Sequence, residues 1–189
     1  MITRVSIHTK AQGRMLYFNE LCRAMKLLAD NPKVLFLGQS VAYSGNSLYT
    51  TLENIPIEKR LEMPVAEDMQ MGLSTGLALE GFIPVSIFPR FDFLLLAVNQ
   101  LANHLDKIEG MSDGQFSPKV IIRTAVGSKE PLYPGLQHCQ DYTDAFKLLL
   151  KNIKVISLEK ADNIVPVYMK ALQSKKSTLI IERVDLYYA

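Results

Sequence analysis

The stretch "MPVAEDMQMGLSTGLALEGFIPVSIF", residues 63–88, carries both periods of a layered α/β fold in one run. Residues 67–80 have helical spacing, Gly81 supplies a helix stop, and residues 82–88 are apolar at almost every position over strand length. A strand with no polar face needs cover on both sides, which is the condition of a parallel sheet between helices. The same reading extends outward. Strands are expected at 34–38, 119–124, 154–158 and 178–184, with helices at 14–30, 92–109, 141–151 and 161–174. Asn31-Pro32 closes the first helix, and Asp141 and Asp162 suit the starts of later ones. The spacing predicts a three-layer α/β/α domain with a mainly parallel sheet, one domain over 1–189, without repeat, low-complexity tract or linker.

Composition narrows the class. The chain has 189 residues, 48% of them hydrophobic, and a formal net charge of +2, enough to fill one core. No basic run offers an electrostatic footprint for nucleic acid. No apolar run has signal-peptide or membrane-spanning character, so no membrane partner is expected. Cys22 and Cys139 are the only cysteines, without metal-type spacing, which suggests reduced thiols and a cytoplasmic location. Three scattered histidines give no zinc pattern, and no metal site is expected within the chain.

Two segments break the alternation: 39–60 and 125–140, both rich in Gly, Pro, Ser and Tyr. Each follows an apolar strand and should lie beyond the strands' carboxyl ends, where open α/β sheets bind ligands.

Glu67 stands out within the opening stretch. No Lys or Arg lies between Arg60 and Arg90 to pair with it, and its neighbours are Pro64, Val65, Ala66, Met69 and Met71. The bland reading is an acid at a helix N-terminus, beside Asp68, worth a few tenths to about one kcal/mol through the dipole. The sharper reading is a carboxyl in apolar surroundings, where its charged form is disfavoured unless satisfied, poised to share a proton with a bound heterocycle. Gly72 and Gly76 form a small-residue stripe on the same helix, suited to close packing within the chain or against a second subunit. Phe88, Phe91 and Phe93 crowd the next strand's end. At least one should be core, although an aromatic there could stack on a flat ring. His138, in "GLQHCQD", is either a surface histidine or an acid/base group. Cys139 lacks any feature that would activate it. "EGMSDGQ" (109–115) lacks the carboxylate spacing of a cation loop and reads as a turn. No glycine-rich phosphate loop follows any strand, which disfavours a nucleotide-binding domain.

Taken in order, these motifs resemble one family: the pyrimidine-binding domain of thiamine diphosphate enzymes, in particular the beta subunit of 2-oxo-acid dehydrogenases. "NPKVLFLGQSVAYSG" is similar to its first strand and cofactor-proximal loop, and "MPVAEDMQMGLSTGLALEGFIPVSI" to its glutamate-glycine helix. "DFLLLAVNQLANHLDKIEGMSDGQFSPKVIIRT" resembles the helix, turn and strand that follow, and "GLQHCQD" the family's histidine loop. The resemblance implies thiamine diphosphate as cofactor. Glu67 would bond the N1′ nitrogen of its aminopyrimidine, and Val41, Phe88 and Phe91 would contact that ring. His138 would face the substrate. It implies decarboxylation or dehydrogenation of a 2-oxo acid, or two-carbon transfer from a ketose.

The sequence departs from the family at Gln39 and Ser40, where acids are usual, and at Arg90, in a segment usually small and apolar. Nothing resembles the family's diphosphate motif or its C-terminal domain. The resemblance therefore implies a separate, alpha-like subunit that holds magnesium and the diphosphate, with this chain as a homodimer within a heterotetramer. The alternative is a catalytically silent assembly or regulatory relative.

Overall fold

The computed structural model describes residues 2–129 and 133–187, with side chains from Leu16 onward. Six strands form one sheet: β1 (Val34–Gly38), β2 (Arg60–Glu62), β3 (Ile83–Phe88), β4 (Ile121–Val126), β5 (Lys154–Ser157) and β6 (Thr178–Arg183). Their spatial order is β2-β1-β3-β4-β6-β5, and every neighbouring pair is parallel.

Each central strand feeds two cores because successive side chains point to opposite faces. Ile121 and Ile180 belong to one cluster, built with α1 (Ile2–Ala29) and α6 (Ile164–Gln173). Ile122, Leu179 and Ile181 belong to the other, with Met71, Leu94 and Phe146 from the opposite helical layer. That layer comprises α2 (Glu67–Leu79), α3 (Phe91–Leu94) and α5 (Thr143–Leu149). The apolar runs in the sequence have this origin, and the three layers are those its periodicity predicts.

Three details differ from the sequence reading. The first helix begins at Ile2, earlier than its periodicity indicates. The edge strand β2 lies at the end of what reads as loop, since a three-residue strand is too short to show a period. The single helix expected over 92–109 is a succession of α3, a 3-10 turn (Leu95–Ala97), a π-helical segment (Asn99–Leu105) and the short α4 (Ile108–Met111).

Several side chains lock the carboxyl end of the sheet. Gly38 is required there: a Cβ at that position would lie 2.3 Å from the Ile87 carbonyl oxygen of β3. Gln70, one turn into α2, donates to the carbonyl of Ile87 at 3.0 Å and to Ser86 Oγ at 3.1 Å, which pins α2 against β3. Gly81, at φ +88°, ends α2 as expected. Asp141 also caps as expected, accepting from the Thr143 N–H at 2.9 Å. Gly72 and Gly76 do not pack closely within the chain. A Cβ on Gly72 would make ordinary contact with Gln100 at 3.6 Å, and one on Gly76 would meet nothing within 4 Å.

The sheet's interior holds a buried ion pair. Arg123 of β4 donates through Nε to Glu182 Oε1 of β6 at 2.7 Å, and both side chains are fully buried. The hydroxyls of Tyr168 and Tyr187 also donate to Glu182. Burial disfavours the charged guanidinium, but the Glu182 carboxylate outweighs it and holds Arg123 firmly protonated. Burial first, and the Glu182 charge second, raise both tyrosine hydroxyls well above their ordinary range. No helix among the described residues is long and apolar enough to cross a membrane.

Candidate functional site

A cavity of about 720 Å³ opens beyond the carboxyl ends of β1, β3, β4 and β6. Its walls come from the two segments that break the sequence's alternation: Gln39, Ser40, Asn46 and Ser47 from the first, Gly127, Ser128 and His138 from the second. Pro89, Arg90 and Phe93 complete it from the β3–α3 connection.

The first wall is shaped by an acid. Glu62, the last residue of β2, accepts the backbone N–H groups of Ser40, Val41 and Ala42 at 2.5–2.9 Å. This grip holds Ser40 in a left-handed conformation, φ +55°, uncommon for a residue with a side chain. Asn46 tightens the same loop, accepting from Leu48 and Tyr49 N–H through its side-chain oxygen.

The second wall is tied by Arg90. Its Nη1 donates to the Gly127 carbonyl at 3.1 Å and to the His138 carbonyl at 2.7 Å, joining three loops. His138 stands edge-on to Phe93, ring centroids 5.6 Å apart, and its buried Nδ1 has no hydrogen-bond partner among the described residues.

Of the residues singled out from sequence, His138 lies on the cavity wall. Glu67 begins α2 and is 8% exposed, at the same end of the sheet but off that wall. Among the described residues, no hydrogen bond or ion pair reaches its carboxyl group. Every other acid buried to this degree is saturated: Asp106, 3% exposed, accepts the N–H groups of Lys151, Asn152 and Ile153, and Glu182 has Arg123 and two tyrosines.

Phe88, Phe91 and Val41 take core positions. Each is at most 1% exposed, Phe91 packed at 5.0 Å from the Phe146 ring. The reason is register. Phe88 and Phe91 both turn into the α2–α5 core, while the helical step to Phe93 swings that third ring out to the cavity. Sequence supplied the aromatic triplet but no way to rank its members before the strand's end was known.

Sequence comparison sets this geometry among known proteins. No protein-family model matches the chain. It is 27% identical over 179 residues to a pyruvate dehydrogenase E1 component subunit beta of Cyanidium caldarium, an alignment covering 92% of this chain and 54% of that one. It is 28% identical over 184 residues to the chloroplastic subunit beta-4 of rice, Oryza sativa subsp. japonica, covering 95% and 45%. Among solved structures, transketolase of Campylobacter jejuni superposes with a TM-score of 0.70 at 16% identity, covering 87% of this chain and 25% of that one. A split-gene transketolase solved as an inactive beta4 tetramer gives 0.57 at 21% identity, covering 89% and 50%. The chain is a relative of the pyrimidine-binding domains of thiamine diphosphate enzymes. It spans about half the length of the curated relatives it matches.

The residues present can be tested against the thiamine diphosphate these domains imply. Glu67 fits the aminopyrimidine end, because it is a nearly buried carboxyl whose hydrogen-bonding capacity is unspent. The magnesium diphosphate end finds no match. Among the described residues, no group of three or more His, Cys, Asp or Glu could hold a metal and no carboxylate lines the cavity.

Proposed function

We propose that the chain is the pyrimidine-binding subunit of a split thiamine diphosphate enzyme acting on a 2-oxo acid or a ketose. The observation that carries this reading is Glu67, the one nearly buried acid among the described residues whose carboxyl meets no donor. A carboxyl that meets no donor within the described chain keeps its acceptor capacity for a ligand. The cofactor, when bound, supplies the carbanion chemistry that lets a bond beside a carbonyl break. This chain would contribute placement. Glu67 would hold the aminopyrimidine nitrogen and exchange a proton with it, Phe93 would present a ring face, and His138 would stand toward the substrate as proton donor or acceptor. Magnesium and the diphosphate would be gripped by an alpha-like partner, with this chain paired as a homodimer inside the larger assembly. The beta-subunit and split-gene relatives support the alpha-like partner.

The second reading, a silent assembly or regulatory relative, is favoured by the full burial of Phe88, Phe91 and Val41 and by a cation, Arg90, on the wall. Turnover separates the two. With the partner subunit, cofactor and magnesium present, Glu67→Gln should lose at least ~100-fold in rate, the lower end for acid/base assistance. Near-normal turnover of that variant removes Glu67 from the mechanism, and a wild-type assembly that binds cofactor but never turns over supports the silent relative.

A further inference from the structure

Among the described residues Arg90 is the one cation on the cavity wall, and no counter-charge meets it. Among the described residues no carboxylate lies within ion-pair distance of it, and no Asp or Glu lines the cavity. Asp92, two residues on, is turned to the Gln140 N–H at 3.3 Å. The guanidinium is only half used. Nη1 is spent on the Gly127 and His138 carbonyls, while no described group accepts from Nε or Nη2. Those two nitrogens form the side edge of the fork, whose parallel N–H groups match two oxygens of a carboxylate or phosphate. The bonds through Nη1 fix the plane of the fork, so little side-chain entropy remains to be lost on binding. Around it stand further polar groups, the Ser40, Ser47 and Asn46 side chains, in a cavity roomy enough for a small metabolite.

We propose that Arg90 is the anion-recognition residue of this cavity, taking the oxyanion group of a small substrate on its Nε/Nη2 edge. That the ligand is the substrate rests on the reading above; the binding of the anion does not. The same arginine holds the His138 loop, so an anion on the fork would be presented beside the imidazole.

Titration of the cofactor-free, ¹⁵N-labelled chain with pyruvate, and separately with inorganic phosphate, tests this. The Arg90 Nε–H resonance and the Gly127 and His138 amides are followed at constant ionic strength. Saturable shifts of the Arg90 Nε–H signal are expected with at least one probe. Response to pyruvate alone identifies a carboxylate site, to phosphate alone a phosphoryl site, and to both a general oxyanion site. Arg90→Met should weaken binding roughly 10-fold or more, the scale of a lost charge-assisted pair. Because that variant also loses two loop bonds, Arg90→Lys is the companion. It keeps a cation without the fork and should bind several-fold more weakly than wild type. No saturable shift with either probe, or unchanged affinity in both variants, overturns the proposal. Turnover by the reconstituted enzyme alongside such a failure would leave the thiamine diphosphate reading standing and remove only Arg90's part in it.

Discussion

Two sets of charged groups, one at the centre of the sheet and one at its carboxyl edge, teach opposite lessons. At its centre Arg123 and Glu182 are wholly buried and bonded to each other and to tyrosines of α6 and the chain's end. At its carboxyl edge, among the described residues, no acid pairs with Arg90 and no donor reaches Glu67, although Glu67 is only 8% exposed. Charge desolvation is costly at the centre, and there the pair offsets it within the chain. The edge shows no such closure among the described residues. Charges that close on themselves hold the fold; charges left open are, in the function proposed above, where a ligand or partner binds.

Breaking the closed pair should have the largest effect. Glu182→Gln strands the Arg123 charge in the interior and should destabilise by about 3–5 kcal/mol, read as a fall in the urea midpoint. A change below about 1 kcal/mol would mean that the pair is not what the comparison takes it to be. The open acid should behave in the reverse manner. Glu67→Gln, damaging to turnover, should change folding stability by no more than a few tenths to about one kcal/mol, the dipole contribution of a first-turn acid. His138→Ala should lower turnover in the reconstituted enzyme while leaving cofactor affinity nearly intact. Loss of cofactor, or unfolding, would return His138 to a structural role.

The smallest expected effect concerns the exposed face of α2. Gly76→Ala meets open space, so the isolated fold should gain about 0.5–1 kcal/mol from the better helix former. If Met69, Leu73 and Gly76, all exposed, form a contact between copies, the same substitution should weaken self-association in sedimentation. A stabilised chain with unchanged association would place the copy interface elsewhere.

Much of this was legible in sequence, for physical reasons. Parallel strands buried on both faces must be apolar throughout, so β3, β4 and β6 declare themselves, and glycine and proline stops divide the helices. Glu67 was visible because what marks it is an absence of cations along a stretch of chain, which sequence shows directly. Roles set by side-chain direction were not legible. Phe91 and Phe93 are two residues apart in the same motif, and only the helical turn sends one to the core and the other to the cavity. Nor could sequence show that Glu62 and Asp106 are spent on backbone N–H groups of distant loops, since those partners are brought together only by folding.

The central claim is that this chain holds half of a site. Calorimetry of the purified chain with thiamine diphosphate and magnesium, with and without the alpha-like subunit, tests it most directly. The account predicts weak or unmeasurable binding to the chain alone and tight binding once the two subunits are combined. Tight, stoichiometric binding by this chain without a partner would contradict it.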